Sequence, residues 1–433
     1  TNHGPSGVRG ALVTDVFPGE LENVEWECFS LALGATCLNG SAGIGDLVDK
    51  EVRLPAGSQL LITASGTIKP GVTGAIVNTA SVAAPNGFIE LAPGVLPRHA
   101  LSYLFAAFVS IGLFAYLPAL TPYVLKVNLA LPTGQQGAAT GNLQSWQEVV
   151  ILALVGIWGA LSDRIGRRPI YVTGFALIAA AYVLYPLAHS MPELTLYRLV
   201  FGCAVAGLGA MLATVLADYP LESSRGKLTG IAFFLNALGS VIFLVGLTQL
   251  PRVYAASGVS ELASGRYAFF TVAAVAVLAA IVMLGLKPGL PARASEHRSL
   301  REIAAEGLRA ARNPRVLLAY GGGFTSRADL SLITPFLALW ASQSAIGEGL
   351  TAAQATGRVG MILGVTQGTA MLWAPVYGWL GDRMSRMAHF TLAFTIALAG
   401  YGWVGLQEDI VRPAAIPALM LLGMGQVSTI LAA

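Results

Sequence analysis

From residue 98 onward the chain runs as long apolar segments broken by short polar connections. Each is close to the roughly 20 residues that an α-helix needs to cross a bilayer's hydrocarbon core. They fall near 101–125, 142–161, 169–189, 193–217, 227–250, 267–286, 315–341, 358–380, 387–406 and 413–433. The one long polar connection, 288–314, holds Arg293, Arg298, Arg301, Arg309 and Arg312 and separates six segments from a following four. The pattern predicts an all-α polytopic membrane protein with a six-segment half at 98–287 and an incomplete second half at 315–433. Residues 1–97 read differently. Short β runs split by Gly, Pro and Asn replace the helical periodicity: Val24–Phe29, Leu60–Ile68 and Ala75–Val82. That pattern predicts a small, partial β-sandwich in front of the helices.

Composition agrees with a bilayer as the solvent. Charged residues make up only 11%, against about 25% in an ordinary soluble domain. Hydrophobic residues reach 55%, with a mean hydropathy of +0.66. A net charge of +3 is too small to point to nucleic acid. Three cysteines are too few for a disulfide framework.

The distribution of the positive charges predicts an orientation. Arg164, Arg167 and Arg168 follow the second segment, and Arg225 and Lys227 follow the fourth. The arginine-rich connection follows the sixth, and Arg383 and Arg386 follow the eighth. By the positive-inside rule, even-numbered segments end in the cytoplasm, and residues 1–97 lie on the same side. A bacterial cytoplasmic (inner) membrane is the expected location.

The run Gly159-Ala160-Leu161-Ser162-Asp163-Arg164-Ile165-Gly166-Arg167-Arg168 returns in weaker form as 378–386, with Asp382 and Arg383 in the matching places. Thr121-Pro122-Tyr123 returns as Thr334-Pro335-Phe336, Thr140-Gly141 as Thr356-Gly357, and Gly207-Leu208-Gly209 as Gly423-Met424-Gly425. Near-constant offsets in one order indicate two homologous halves. Together with Arg198 and Gly202, and with Asp218, Arg225 and Gly226, these residues resemble the major facilitator superfamily. The resemblance covers residues 98–433. It implies a two-half bundle of twelve helices, of which about ten are present here; the chain opens on Thr1 and stops within an apolar run, so both ends read as cut. In that pattern Gly159 allows close helix approach, Gly166 supports a tight turn and the arginines anchor the loop. Asp163 is expected beside helix N-terminal amides. The fifth segment has Gly239 and Gly246 but no Gly-Pro pair, so the antiporter motif is missing.

Val13–Pro18, the Trp26 run, Leu54–Gly57 and Asn78–Ala80 resemble a bacterial surface-repeat domain, domain of unknown function 11, over most of residues 11–90. That resemblance implies either a Cys28–Cys37 disulfide or two free thiols. It also conflicts with the charge bias, since a surface domain belongs outside; the charges carry more weight, because they come from four loops.

Ionisable groups at bilayer depth are costly and mark function by default. Glu148 lies ~20 Å from the inner end of the second segment, and Arg327 and Asp329 lie ~18 and ~21 Å from Arg315, by the rise of a helix. All three share a middle depth, and Glu148 is a candidate partner for Arg327. A structural polar network is the blander alternative. Arg198, nearer the outer end of the fourth segment, is either a coupling residue or a snorkelling one. Asn236 and Gln367 read as interhelical hydrogen-bond formers, and Trp340, Trp373 and Trp379 as interfacial anchors. The five His residues are scattered, and no nucleophile–base spacing, metal-ligand cluster or Walker run occurs. No enzyme activity and no cofactor are expected. The reading is secondary transport of a small solute by alternating access, with protons as the coupling ion. The alternative is a membrane-anchored surface or adhesion protein whose working part is residues 1–97.

Overall fold

The alternating runs of the first ninety residues pair as strands, and the apolar segments behind them coil as helices. The computed structural model describes residues 1–2, 8–32, 34–38, 40–83, 89–221, 224–289, 309–381 and 383–432, apart from the side chains of 9, 32, 315, 319 and 323–330. It divides into two compact units, Thr1–Glu90 and Leu91–Ala433.

The first unit holds β1 (Val8–Asp15), β2 (Leu21–Ala32), β3 (Thr36–Cys37), β4 (Ala42–Ile44), β5 (Leu47–Leu54), β6 (Gln59–Ile68) and β7 (Ala80–Ala83). One sheet runs β3-β5-β1-β7 and the other β4-β2-β6, with antiparallel pairing throughout. In β2 the alternation is clean: Val24, Trp26 and Cys28 are buried while Glu25, Glu27 and Phe29 face out. A Cys28–Cys37 disulfide ties β2 to β3, one strand from each sheet. The run expected as a strand from Ala75 becomes one only at Ala80, opposite Asp15. Earlier residues would run past the end of β1 toward Pro18, which has no N–H to give a ladder.

The second unit holds α1 (Pro97–Tyr123), α2 (Thr133–Ile165), α3 (Arg167–Leu184), α4 (Met191–Asp218), α5 (Arg225–Val245), α6 (Leu250–Ala256), α7 (Glu261–Met283), α8 (Pro314–Gly347), α9 (Ala352–Gly381), α10 (Arg386–Gly405) and α11 (Ile416–Ala432). Ser190, Ser260 and Ser385 cap α4, α7 and α10 by accepting from backbone N–H groups three residues on. Pro122 sits inside α1, and one π-helical turn, Val124–Asn128, follows it. Among the described residues, eight helical segments are long and apolar enough to cross a membrane. α2 is not one of them, although it is 33 residues long. Its first half carries Gln135, Gln136, Asn142, Gln144, Gln147 and Glu148.

The repeat is visible in three dimensions. Pro122 lies inside α1 and Pro335 inside α8, and the two arginine loops follow α2 and α9. Gly207 and Gly209 lie in α4, as Gly423 and Gly425 do in α11. The order α1–α4 thus reappears as α8–α11. Within the first half α1 packs on α5, α2 on α4, and α3 on α4 and α7; in the second, α11 packs on α9 and α10. The halves meet where α8 touches α1 and α2, and where α9 touches α5.

Candidate functional site

α2 carries a polar stripe. Gln136, Thr140, Gln144 and Glu148 recur every four residues, which stacks them along one helix face. Gln136, Thr140 and Gln144 are buried. Buried polar groups in an apolar medium need partners; Gln136 and Gln144 find them on other helices, whereas Thr140 Oγ1 has none among the described residues.

A chain of hydrogen bonds starts on α8 and ends beyond α3. Ser331 Oγ donates to Glu148 Oε1 at 2.9 Å, joining the two halves at mid-helix. Gln144 Nε2 donates to the same carboxylate at 3.1 Å. Gln144 Oε1 accepts from Arg198 Nη2 at 2.8 Å, and Arg198 Nη1 reaches Thr121 Oγ1 at 3.4 Å. Thr121 in turn shares a hydrogen bond with the Tyr185 hydroxyl at 3.2 Å. Arg198 is 1% exposed, which rules out snorkelling as its role. Its guanidinium lies 5.6 Å from the Phe201 ring centre, beside an aromatic cluster of Tyr116, Tyr182, Tyr185 and Phe269. Its Nε–H has no partner among the described residues, and neither does Gln147 Oε1.

Glu148 and Arg198 are therefore brought into one network, linked through Gln144 rather than paired directly. Arg327 and Asp329 lie on α8 four and two residues before Ser331, within ~6 Å of its level along the helix axis; their side chains lie outside the described ones. The expected Glu148–Arg327 pair falls there too. Gln144, Ser331, Thr121 and Tyr185 join the site without having been expected there. For Gln144, the fourfold spacing of polar residues on α2 is the signal that the sequence offers. Asn236 Oδ1 is buried without a partner among the described residues, so the interhelical bond expected of it is not made there through that atom. Trp373 Nε1 donates to Ser428 Oγ on α11 at 3.0 Å, a helix-to-helix bond rather than an interfacial anchor.

The arginine loop is a second constellation. Arg167 is clasped between two carboxylates, Nη1 to Asp163 Oδ1 at 2.6 Å and Nε to Asp218 Oδ2 at 2.9 Å. It also donates to Ser162 Oγ, and Ser162 Oγ donates to the Gly159 carbonyl at 2.7 Å. Asp163 thus meets a guanidinium, where helix N-terminal amides were expected. Gly166 adopts φ +94°, and a Cβ there would stand 2.5 Å from the Gly289 carbonyl oxygen. Gly159 departs from expectation: a Cβ on it would meet nothing within 4 Å. Close approach occurs one residue earlier, where the Trp158 ring covers Gly207 of α4. Arg164 is exposed and Arg168 half-buried, while Arg383 stacks 3.8 Å over the Trp379 ring. Asp382 lies outside the described residues.

Further connections hold this end of the first half. The Tyr219 hydroxyl accepts from Lys287 N at 3.1 Å, Lys287 Nζ donates to the Pro93 carbonyl at 3.1 Å, and Leu91 bridges to Pro220. Burial, with Asp218 adding to it, pushes the Tyr219 phenol up to about 12 against the opposing pull of the Lys287 amide, so it stays neutral at physiological pH.

The chain is similar to known proteins in sequence and in fold. Two magnetosome proteins of Paramagnetospirillum magneticum align with it: MamH is 25% identical over 76% of this chain and 75% of its own length, and MamZ 24% identical over 71% of this chain. The chain spans about half the length of MamZ, 48%. The solved structure of the nucleoside transporter NupG superposes with a TM-score of 0.55 at 14% identity, covering 77% of this chain and 79% of that one. The family model of the Major Facilitator Superfamily matches residues 100–433, so this multi-pass membrane protein belongs to that superfamily.

Proposed function

We propose that the protein carries out secondary active transport of a small solute by alternating access, coupled to protons through Glu148. The observation that supports this most is the Glu148–Ser331 hydrogen bond: a carboxylate at the middle of α2 links the first half to the second. An ionised carboxylate accepts charge-assisted hydrogen bonds that are about twice as strong as neutral ones. Adding a proton removes that charge, weakens the bond to Ser331 and loosens the halves at this level. Arg198, held by Gln144 and Thr121, supplies a fixed positive field next to the carboxylate, and its Nε–H, without a partner among the described residues, is a donor for a solute. Asp329 and Arg327, at nearly the same level of α8, complete the coupling set in this reading.

The clasp of Asp163 and Asp218 on Arg167 holds the arginine loop in one conformation in this reading. The positive-inside rule puts that loop and the 288–314 connection in the cytoplasm, in a bacterial inner membrane. The two-sheet unit with its Cys28–Cys37 link is read as akin to surface-repeat domains.

The test is transport by the full chain in proteoliposomes loaded with a pH dye and challenged with a panel of small solutes. A transported solute should change the luminal pH, and an imposed gradient should drive its accumulation. Glu148→Gln should abolish accumulation while leaving solute exchange. If Glu148→Gln and Asp329→Asn both accumulate solute as the parent does, coupling fails and the network is packing alone.

A further inference from the structure

Cys28 and Cys37 join the two sheets of the first unit. Cys28 lies on β2, in the middle of one sheet, and Cys37 on β3, at the edge of the other. The third cysteine of the chain, Cys203, is on α4, so no other disulfide can form within the unit.

What the bond holds in place is small. β3 has two residues, and it pairs with β5 at Thr36↔Arg53 and Cys37↔Val52, with Leu38 N donating to the Glu51 carbonyl at 2.8 Å. Ala35 and Val52 are buried there, at 0% and 1% exposure. So few hydrogen bonds do not offset the entropy lost in ordering the chain that carries them. Without the disulfide β3 is free to leave, and the β5 edge at Glu51–Arg53 becomes an unpaired one. The two sulfurs also differ in access. Cys28 is 8% exposed, whereas Cys37 is half-buried on an edge strand, so an incoming thiol reagent meets Cys37 first.

The compartment decides between a permanent staple and a switch. The charge bias of the arginine loops puts residues 1–97 in the cytoplasm, where the thiol pool keeps cysteines reduced and the disulfides that do form are transient or redox-sensing. We infer that Cys28 and Cys37 form a thiol–disulfide switch: reduced in the resting cell with β3 released, and closed to the bond in this structure when low-molecular-weight disulfide accumulates. The inference rests on that sidedness and is independent of transport. In the closing reaction the Cys37 thiolate attacks the external disulfide, one thiolate leaves and a mixed disulfide forms. The Cys28 thiolate then attacks the Cys37 sulfur, the second external thiolate leaves and the Cys28–Cys37 bond closes. Two protein thiols are oxidised, one external disulfide is reduced to two thiols, and the two protons end on the departing sulfurs.

The test uses the full chain carrying Cys203→Ser, so that this pair alone can react. Cells are quenched in acid, and free thiols are counted by the mobility shift that a maleimide-linked polymer produces. Growing cells should show both thiols free. Diamide, which converts the cell's glutathione to its disulfide, should remove the whole shift, and washing should restore it. A pair that stays reduced in diamide, or stays bonded in growing cells, would overturn the switch. Sidedness is read separately, from Cys37 in the Cys28→Ser variant with a membrane-impermeant maleimide. Labelling in inside-out vesicles but not in intact cells supports the cytoplasmic placement; labelling of intact cells removes that placement and the switch with it. Hydrogen exchange of the purified chain reads the release of β3. The Leu38 amide should exchange about a hundredfold faster in the dithiol form, the factor that corresponds to the usual contribution of a disulfide. Equal rates in the two forms would show that β3 stays in place without the bond and would sink the proposal.

Discussion

Arg198 shows what a single buried cation demands of its neighbours. It is 1% exposed, and Gln144 and Thr121 accept from two of its nitrogens. Gln144→Ala removes one acceptor and also breaks the link to Glu148. Losing a hydrogen bond to a charged group costs about 1.5–3 kcal/mol. Thermal unfolding in detergent should therefore show a clearly lower midpoint for Gln144→Ala; an unchanged midpoint would mean that the network contributes nothing to stability. Gly166 makes a separate demand. Its positive φ and the Gly289 carbonyl leave no room for a side chain. Gly166→Ala should cost about 1–3 kcal/mol of strain, whereas Gly159→Ala, facing open space, should be close to neutral. Comparing the folded yield of the two variants checks this, and equal yields would refute it.

Among elements, α2 departs most from the apolar norm, and its polar stripe exchanges hydrogen bonds with the other half through Gln136 and Glu148. A helix apolar all round could pack against lipid but could not carry such a seam. In the first unit, the element that matters is the short β3, because Cys37 binds it to Cys28 across the two sheets. Disulfides of this kind contribute about 2–4 kcal/mol. Limited proteolysis of the full chain should accordingly cut within residues 1–90 faster under reducing conditions, or in Cys37→Ser, with the helical unit spared. Equal cutting rates with and without reductant would show the link to be dispensable.

For the whole molecule the testable quantity is orientation. If the arginine loops lie in the cytoplasm, as the charge bias predicts, the end where α2 and α9 begin faces outward. Ser257→Cys should then react with a membrane-impermeant thiol reagent added to intact cells, and Arg312→Cys should not. The reverse pattern of labelling would invert the assignment. Deleting residues 1–90 should leave insertion of the helical unit intact, because Leu91–Ala433 has its own internal core; loss of insertion would show that the front unit is needed for assembly.

Membrane crossing, the two-half repeat and the arginine motif were legible in the residue order, because each rests on local properties: apolar length, spacing and charge next to a span. The strand alternation at Val24–Phe29 was legible for the same reason. The partners of Glu148 were not. A carboxylate in an apolar segment announces a need for partners, but that Gln144 and Ser331 are among them depends on helix rotation and on which helices adjoin. The structure turned Glu148 toward Gln144 and Ser331, and placed Arg198 in the same chain of bonds. Likewise Gly159 and Gly360 look alike as letters. Only tertiary packing, which leaves one facing open space and sets the other against Leu244 and Thr248 of the opposite half, gives the two glycines different work.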